Sequence, residues 1–161
     1  MMWFEHKDLR YEYIDEGAFG AIFKNNNNVI KLFQAMTERR SAELIHQAEV
    51  EAYVLLSNSA MSGLAPRFFG RLEQPVIVQD LPANHQGFHT DLGYEMEFLS
   101  GTFIKAGVGN RFSNLASIRN ELRQIGIAHT SDISVLEKNG EVTKIIDFAT
   151  HEIEIWHKDN F

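Results

Sequence analysis

The sequence predicts an α+β fold: an antiparallel sheet with one inserted helix, followed by a smaller second part made of a helix and a hairpin. Three observations lead there. LRYEYIDEGAFGAIFK, residues 9–24, alternates apolar and polar positions around a glycine-bearing turn, with Tyr11, Tyr13, Ala21 and Phe23 on the apolar side, and reads as a hairpin. TERRSAELIHQAEVEAYVLL, residues 37–56, is rich in helix formers and contains neither Gly nor Pro. SVLEK and EVTKIIDF flank Asn139-Gly140, the strongest short hairpin signal a sequence can carry.

The elements follow in order. Asn25–Asn28 is turn material, because asparagine tolerates left-handed backbone angles. VIKLF, residues 29–33, then reads as a third strand. In the helix, Leu44, Ala48, Ala52 and Leu55 recur every three or four residues and form one apolar stripe. Gly63 and Pro66 break the chain after it. PVIVQDL (75–81) and LGYEMEFL (92–99) read as two more strands joined by PANHQGFHTD. SNLASIRNELRQIG (113–126) reads as a second helix, capped by Ser113 or Asn114 and stopped by Gly126. The first hundred residues thus read as strands with one helix inserted, and the remainder as a different, smaller part.

Composition narrows the class of function. The chain has 161 residues, 44% hydrophobic and 23% charged, enough apolar material for a core. Its formal net charge of −7 opposes the basic footprint of a nucleic-acid binder. No apolar run approaches the roughly 18 residues of a membrane span, and the charged N-terminal stretch lacks the apolar core of a signal peptide. With no cysteine, disulfides and thiolate metal sites are excluded, which fits a cytoplasmic protein and leaves a secreted effector open.

The lysine inside VIKLF demands a reason, since a plain core strand would place another apolar residue there. A lysine carries a point charge on a long apolar stem and can reach from a half-buried strand into a cleft. The order glycine turn, strand lysine, glutamate-bearing helix, two strands, MEFLSG, helix, IGIAH, aspartate, hairpin, IIDF resembles the protein-kinase-like fold over roughly residues 12–150. That resemblance implies a small lobe at 1–98, an antiparallel sheet with one helix, and a truncated large lobe at 99–161.

What the resemblance implies can be placed residue by residue. DEGAFGAI is similar to the glycine-rich loop, with Gly17 and Gly20 as its second and third glycines and Phe19 at its tip; Asp15 stands where the family has its first glycine. Lys31 would hold the nucleotide phosphates with a helix glutamate as partner, Glu51 first, Glu49 and Glu43 as runners-up. Glu97, Phe98 and Leu99 would line the adenine edge. GIAHTSDIS resembles the catalytic loop, with His129 as its histidine and Asp132 as the group that orients the acceptor hydroxyl. KIIDFA is similar to the metal-binding element, with Asp147 as the Mg²⁺ ligand. The family's asparagine after the catalytic aspartate is absent, and only Ser134 stands near its place.

The implied activity is that of an atypical minimal kinase binding ATP and Mg²⁺ and transferring phosphate to a protein or small-molecule hydroxyl. The alternative is an inactive pseudokinase, a protein-binding regulator or immunity-type module. Fourteen residues follow Asp147, too few for an activation segment and a peptide-binding helical region. A protein partner or self-association is therefore expected on the face those parts would cover. Metal binding by His85, His89 and Asp91 is a minor competing reading, because Gly87 argues for a loop rather than a helix there.

Overall fold

The structure is a computed structural model and describes residues 1–17, 20–106, 112–127, 130 and 133–148. Phe19, His129 and Asp132 lie outside the described residues. The fold is α+β, with a curled antiparallel sheet and, among the described residues, two α-helices. The chain divides into two compact units, residues 1–46 with 69–98, and residues 47–68 with 99–161.

The first unit holds a sheet in the order β1-β2-β3-β4-β6-β5: β1 (Trp3–His6), β2 (Leu9–Glu16), β3 (Gly20–Asn25), β4 (Asn28–Gln34), β5 (Phe68–Arg71) and β6 (Phe88–Glu97). Three tight hairpins set its register. Lys7 and Asp8 both adopt positive φ between the paired His6 and Leu9, the geometry of a primed two-residue turn. Asn26, at φ 49°, helps close the turn between the paired Asn25 and Asn28. In the third, Gly17 N–H donates to the Gly20 carbonyl at 2.8 Å. An extra residue, Ile14, bulges out of β2 where the pairing slips between Tyr13 and Asp15, which leaves Ile14 on the surface.

Inside the curl, Met2, Phe4, Tyr11, Ala21, Phe23, Ile30, Leu32, Val76 and Phe88 form one buried cluster. The Phe4 ring stacks on Tyr11 and meets Phe23 edge-on. Tyr11 carries its hydroxyl into this apolar interior and donates it to the Glu95 carboxylate, as a buried phenol must find an acceptor. Burial and that carboxylate push the Tyr11 phenol well above its usual value.

Residues 75–81 are not the expected strand. Val76 N–H bonds the Thr90 carbonyl of β6 at 3.0 Å, while Gln79 exchanges two backbone bonds with Trp3 of β1. The segment thus crosses from one side of the curl to the other, and its apolar alternation serves two partners in turn. The strand before β6 is instead Phe68–Arg71, with Gly70 at φ 109°.

Helix α1 (Arg39–Ser57) forms where expected, but its apolar face is rotated. Ala42, Ile45, Val50, Ala52, Tyr53 and Leu56 are buried, whereas Leu55 is 39% exposed and Leu44 and Ala48 are intermediate. His46 and Glu49 sit on the buried face, and two polar side chains in the stripe conceal its true phase.

The second unit holds a sheet in the order β7-β8-β9, with β7 (Phe103–Lys105), β8 (Ser134–Lys138) and β9 (Glu141–Ile146). Asn139 and Gly140 both take positive φ, the turn the sequence signals. Helix α2 (Leu115–Gln124) buries Leu115, Ile118 and Leu122 and ends at Gly126, φ 101°. Asn114 occupies its N-cap position without a capping bond. Its amide is committed elsewhere: Oδ1 accepts Val142 N–H at 2.8 Å and Nδ2 donates to the Val142 carbonyl at 3.1 Å, clipping the helix start to β9. Arg119 donates to the Thr130 and Ala106 carbonyls from the same helix. No helix among the described residues is long and apolar enough to cross a membrane.

Candidate functional site

Lys31 lies on β4, an interior strand paired with β3 on one side and β6 on the other, so it is not a solvent-facing lysine on the sheet margin. It is 8% exposed. Alternation along the strand sends Ile30 and Leu32 into the curl and Lys31 to the opposite face, beside its cross-strand neighbours Ile22 and Tyr94. The ammonium stands 5.1 Å from the Phe33 ring centroid and 6.0 Å from that of Tyr94, the first within cation–π range.

Gly20 makes room for that side chain. A Cβ there would stand 2.6 Å from the Leu32 carbonyl oxygen and 3.2 Å from Lys31 Cε. Close strand packing alone therefore requires glycine at this place. Gly17 differs: a Cβ on it would meet only the Gly20 carbonyl, at 3.9 Å. Neither packing nor a left-handed backbone demands a glycine at 17. Its main-chain groups are engaged within the protein, the N–H by Gly20 and the carbonyl by Gln34 Nε2 at 3.0 Å.

Acidic groups gather at this turn. Asp15 Oδ1 accepts the Glu16 N–H, and Glu16 Oε1 accepts His85 Nε2–H at 2.8 Å. The other ring nitrogen of His85 accepts Gly87 N–H at 2.8 Å, which fixes the neutral tautomer with its proton on Nε2. Burial, then the Glu16 and Asp15 charges, raise the Tyr13 phenol, so their field reaches along the sheet. Phosphate approaching Gly17 would meet that field.

The residues of the minor metal reading go separate ways. His85 serves Glu16, His89 Nε2–H donates to the Thr37 carbonyl at 2.7 Å, and Asp91 is held bidentately by Arg39 at 2.7 and 2.8 Å. That guanidinium pulls the Asp91 carboxyl below its usual range. Among the described residues there is no group of three or more His, Cys, Asp or Glu side chains that could hold a metal ion.

Glu97 ends β6 opposite Asn28, and Phe98 N–H donates to the Asn27 carbonyl at 2.7 Å. The Phe98 ring lies 4.1 Å from Lys24 Nζ, and Leu99 follows half-buried. Phe98 N–H is thus already spent on the asparagine turn.

On α1, Glu51 is exposed and accepts the Gln47 amide at 2.9 Å. Glu49 is fully buried. A carboxylate taken out of water is costly unless compensated, so burial sets Glu49 apart from the exposed Glu51. Periodicity could not reveal it, because the expected stripe was phased one residue away.

In the second unit, Asp147 follows directly on β9 with φ 61°, a left-handed conformation that a non-glycine residue adopts at a cost. Its N–H donates to the Tyr53 hydroxyl at 3.3 Å, and its Oδ2 accepts the Ser134 hydroxyl at 3.2 Å. Tyr53 is fixed by rings on two sides, stacked on Phe68 at 5.4 Å and edge-on to Phe148 at 5.2 Å. Tyr53 and Phe148 are almost fully buried, and Asp147 is half-buried. The sequence marked Ser134 and Asp147 separately; the β8–β9 hairpin brings them together. Tyr53 escaped notice because nothing local distinguishes it from a core aromatic.

No protein-family model, no curated protein and no solved structure matches this chain.

Proposed function

We propose that the chain is an atypical, minimal kinase-like protein that binds ATP with Mg²⁺ and transfers phosphate to a hydroxyl of a protein or small molecule. The observation that carries the reading is Asp147, a half-buried carboxylate held in a left-handed backbone just past the end of the outer strand β9. Such strain persists where surrounding structure over-determines it, and it gathers at functional sites. Lys31, placed on an interior strand with its stem beneath Gly20, supports the reading from the other unit.

The donor chemistry at Asp147 suits magnesium. Mg²⁺ takes hard oxygen ligands, commonly one or two carboxylates, with water and substrate phosphates completing its shell. Asp147 offers such a carboxylate, already oriented by a neutral hydroxyl. The metal would neutralise charge on the transferring phosphoryl group. Lys31 would contribute a fixed positive charge to the phosphates, and Asp132 would orient the acceptor hydroxyl. Glu49, on the buried face of α1, fits the part of the helix glutamate better than the exposed Glu51.

A second reading, a pseudokinase that recognises a protein partner, is favoured by the glycine turn. Asp15 and Glu16 place negative charge where phosphates would come, and both main-chain groups of Gly17 are occupied. The second unit also exposes Val54 and Leu55 by 43% and 39%, apolar surface that a partner or second copy could cover.

Thermal unfolding with and without ATP and Mg²⁺ tests the first reading, since a ligand specific for the native state raises the midpoint by mass action. A rise in wild type that Asp147→Asn abolishes is expected. Phosphate release that disappears in Asp132→Ala would establish transfer. Binding without turnover selects the pseudokinase, and the absence of any nucleotide effect ends both nucleotide roles.

A further inference from the structure

The loop ahead of β6 is fastened to two strand ends, and a single imidazole makes one of the fastenings. His85 Nε2–H donates to Glu16 Oε1 at the end of β2, and His85 Nδ1 accepts the Gly87 N–H, both at 2.8 Å. The Gly87 carbonyl accepts the Ala35 N–H at 2.9 Å, just past the end of β4. One residue back, Gln34 Nε2 donates to the Gly17 carbonyl at 3.0 Å. Residues 85–87, the β2–β3 turn and the end of β4 thus form one closed chain of bonds, with His85 as the link between the first two. The His85 side chain is 18% exposed and its ring lies against Phe88, with centroids 4.8 Å apart. Its N–H donates to the Pro82 carbonyl at 2.9 Å, so a local turn sets where the ring starts from.

The two ring nitrogens meet opposite demands. A carboxylate on Nε2 favours a positively charged ring, whereas an amide donor on Nδ1 requires that nitrogen to keep its lone pair. A second ring proton would set N–H against N–H at 2.8 Å, so it is accepted only at the expense of the Gly87 bond. We propose that His85 is an acid-sensitive clasp: its neutral ring locks residues 85–87 to the β2–β3 turn, and a proton on Nδ1 releases Gly87 while His85 keeps Glu16. Imidazole is the side chain that ordinarily makes this change between about pH 8 and 5. The released residue is also the one that holds Ala35, so the change reaches the chain leaving β4 for α1.

The surroundings leave His85 as the sensor. From β2, Glu16 and Asp15 bring negative charge that extends to Tyr13, and Asp15 is turned to the Glu16 N–H. From β6, Phe88 is neutral and His89 is committed to the Thr37 carbonyl. The end of β4 presents the neutral Gln34 and Ala35. On the segment that leads to His85, Asp80 accepts the Trp3 indole N–H. The clasp uses neither nucleotide nor metal and stands apart from the kinase-like reading.

Long-range proton–nitrogen NMR spectra of the imidazole read which nitrogen carries the proton. Amide exchange, corrected for its intrinsic pH dependence, reads the Gly87 bond. In the full chain near neutral pH, the proton should sit on Nε2 alone and the Gly87 amide should be protected. Acidification to about pH 5.5 should protonate Nδ1 and cut Gly87 protection in step by about tenfold, the upper end of what one such bond supplies. The Val76 and Gln79 amides, which bond Thr90 and Trp3 without a histidine, should hold theirs. His85→Asn offers an amide oxygen to the N–H two residues on, an acceptor that no proton removes in this range. Its Gly87 protection should not vary with pH. Glu16→Gln keeps an oxygen for Nε2–H but removes the charge that favours the positive ring, so the loss should move to lower pH. A ring proton on Nδ1 near neutral pH, or Gly87 protection that stays level with the controls on acidification, overturns the clasp. So does a His85→Asn chain that still loses Gly87 protection in acid, because the sensor is then another group. If His85→Asn does not fold, the wild-type spectra and the Glu16→Gln displacement decide.

Discussion

In the first unit, Lys31 sits in the middle of a strand with neighbours shaped around it: a glycine in place of a side chain, and aromatic rings near its ammonium. In the second, Asp147 stands just past the end of an outer strand, half-buried, in a left-handed backbone conformation. The lysine's surroundings follow from strand geometry. The aspartate's do not, and two hydroxyls maintain a conformation that costs free energy. An unusual residue whose neighbours accommodate it is weak evidence of function; a strained residue held in place is stronger.

The largest expected effect breaks the comparison on the lysine side. Gly20→Ala forces a Cβ against a backbone oxygen and should cost about 3 kcal/mol, the upper part of the overpacking range. Gly17→Ala should stay within about 0.5 kcal/mol. Urea unfolding of the pair checks this, and equal losses would mean that Gly20 is not held by packing on β4. In the second unit, Asn114→Ala removes two part-buried side-chain bonds to the Val142 main chain and should cost about 2 kcal/mol without touching the rise in midpoint with ATP and Mg²⁺. That result would separate a structural polar clip from the support around Asp147.

Stability should also depend on pH through His46. Burial, chiefly, and the Arg71 and Lys31 charges depress its folded-state value, although its bond to the Gly93 carbonyl opposes them. Because the unfolded chain binds the proton more readily, this contribution is complete above pH 6.5 and declines as pH falls toward the folded value. One proton limits the slope to about 1.4 kcal/mol per pH unit. Melting curves of wild type and His46→Gln between pH 7.5 and 5.5 should converge on acidification if His46 is the source. Asp147→Gly relieves the left-handed backbone but takes the acceptor from the buried Ser134 hydroxyl, so its net effect on stability should stay within about 1 kcal/mol while the rise in midpoint with ATP and Mg²⁺ disappears. A larger loss in the glycine variant would show that Asp147 earns its place through the fold itself. The smallest effect belongs to the exposed Arg39–Asp91 pair, where a double-mutant cycle should give about 0.5 kcal/mol at neutral pH. Arg39 depresses the Asp91 value, so that term is present above about pH 3.8 and fades as pH falls below it.

Much of the architecture was legible because its turns carry chemical signatures. Asn139-Gly140 and the asparagine run marked their hairpins, and the long run without Gly or Pro marked α1. β1 left no such sign, since its turn gives a left-handed angle to Lys7, a residue with little preference for it, ahead of Asp8 and with no glycine or asparagine to mark it. The 75–81 stretch misled by its alternation, which reflects one contact with β6 and another with β1 rather than a continuous ladder. Among the candidate residues, Lys31, Ser134 and Asp147 could be singled out from the chain alone. Glu49 and Tyr53 could not be given their positions, because the polar residues on α1's buried face shift its apparent phase, and because an aromatic's hydroxyl partner is set by tertiary packing. Phe19, His129 and Asp132 lie outside the described residues.

The crossing at 76–80 has a further consequence for how the protein behaves at high concentration. An outermost β-strand normally presents a row of unspent amides that invites another chain to dock and begin aggregation. Here Gln79 occupies the Trp3 main chain in both directions, and Asp80 anchors the indole N–H at 3.1 Å. Replacing Gln79 by proline would delete one of those amide donors and leave β1 open to a stranger, so that variant should show faster time-dependent light scattering than wild type even where its melting temperature is little changed.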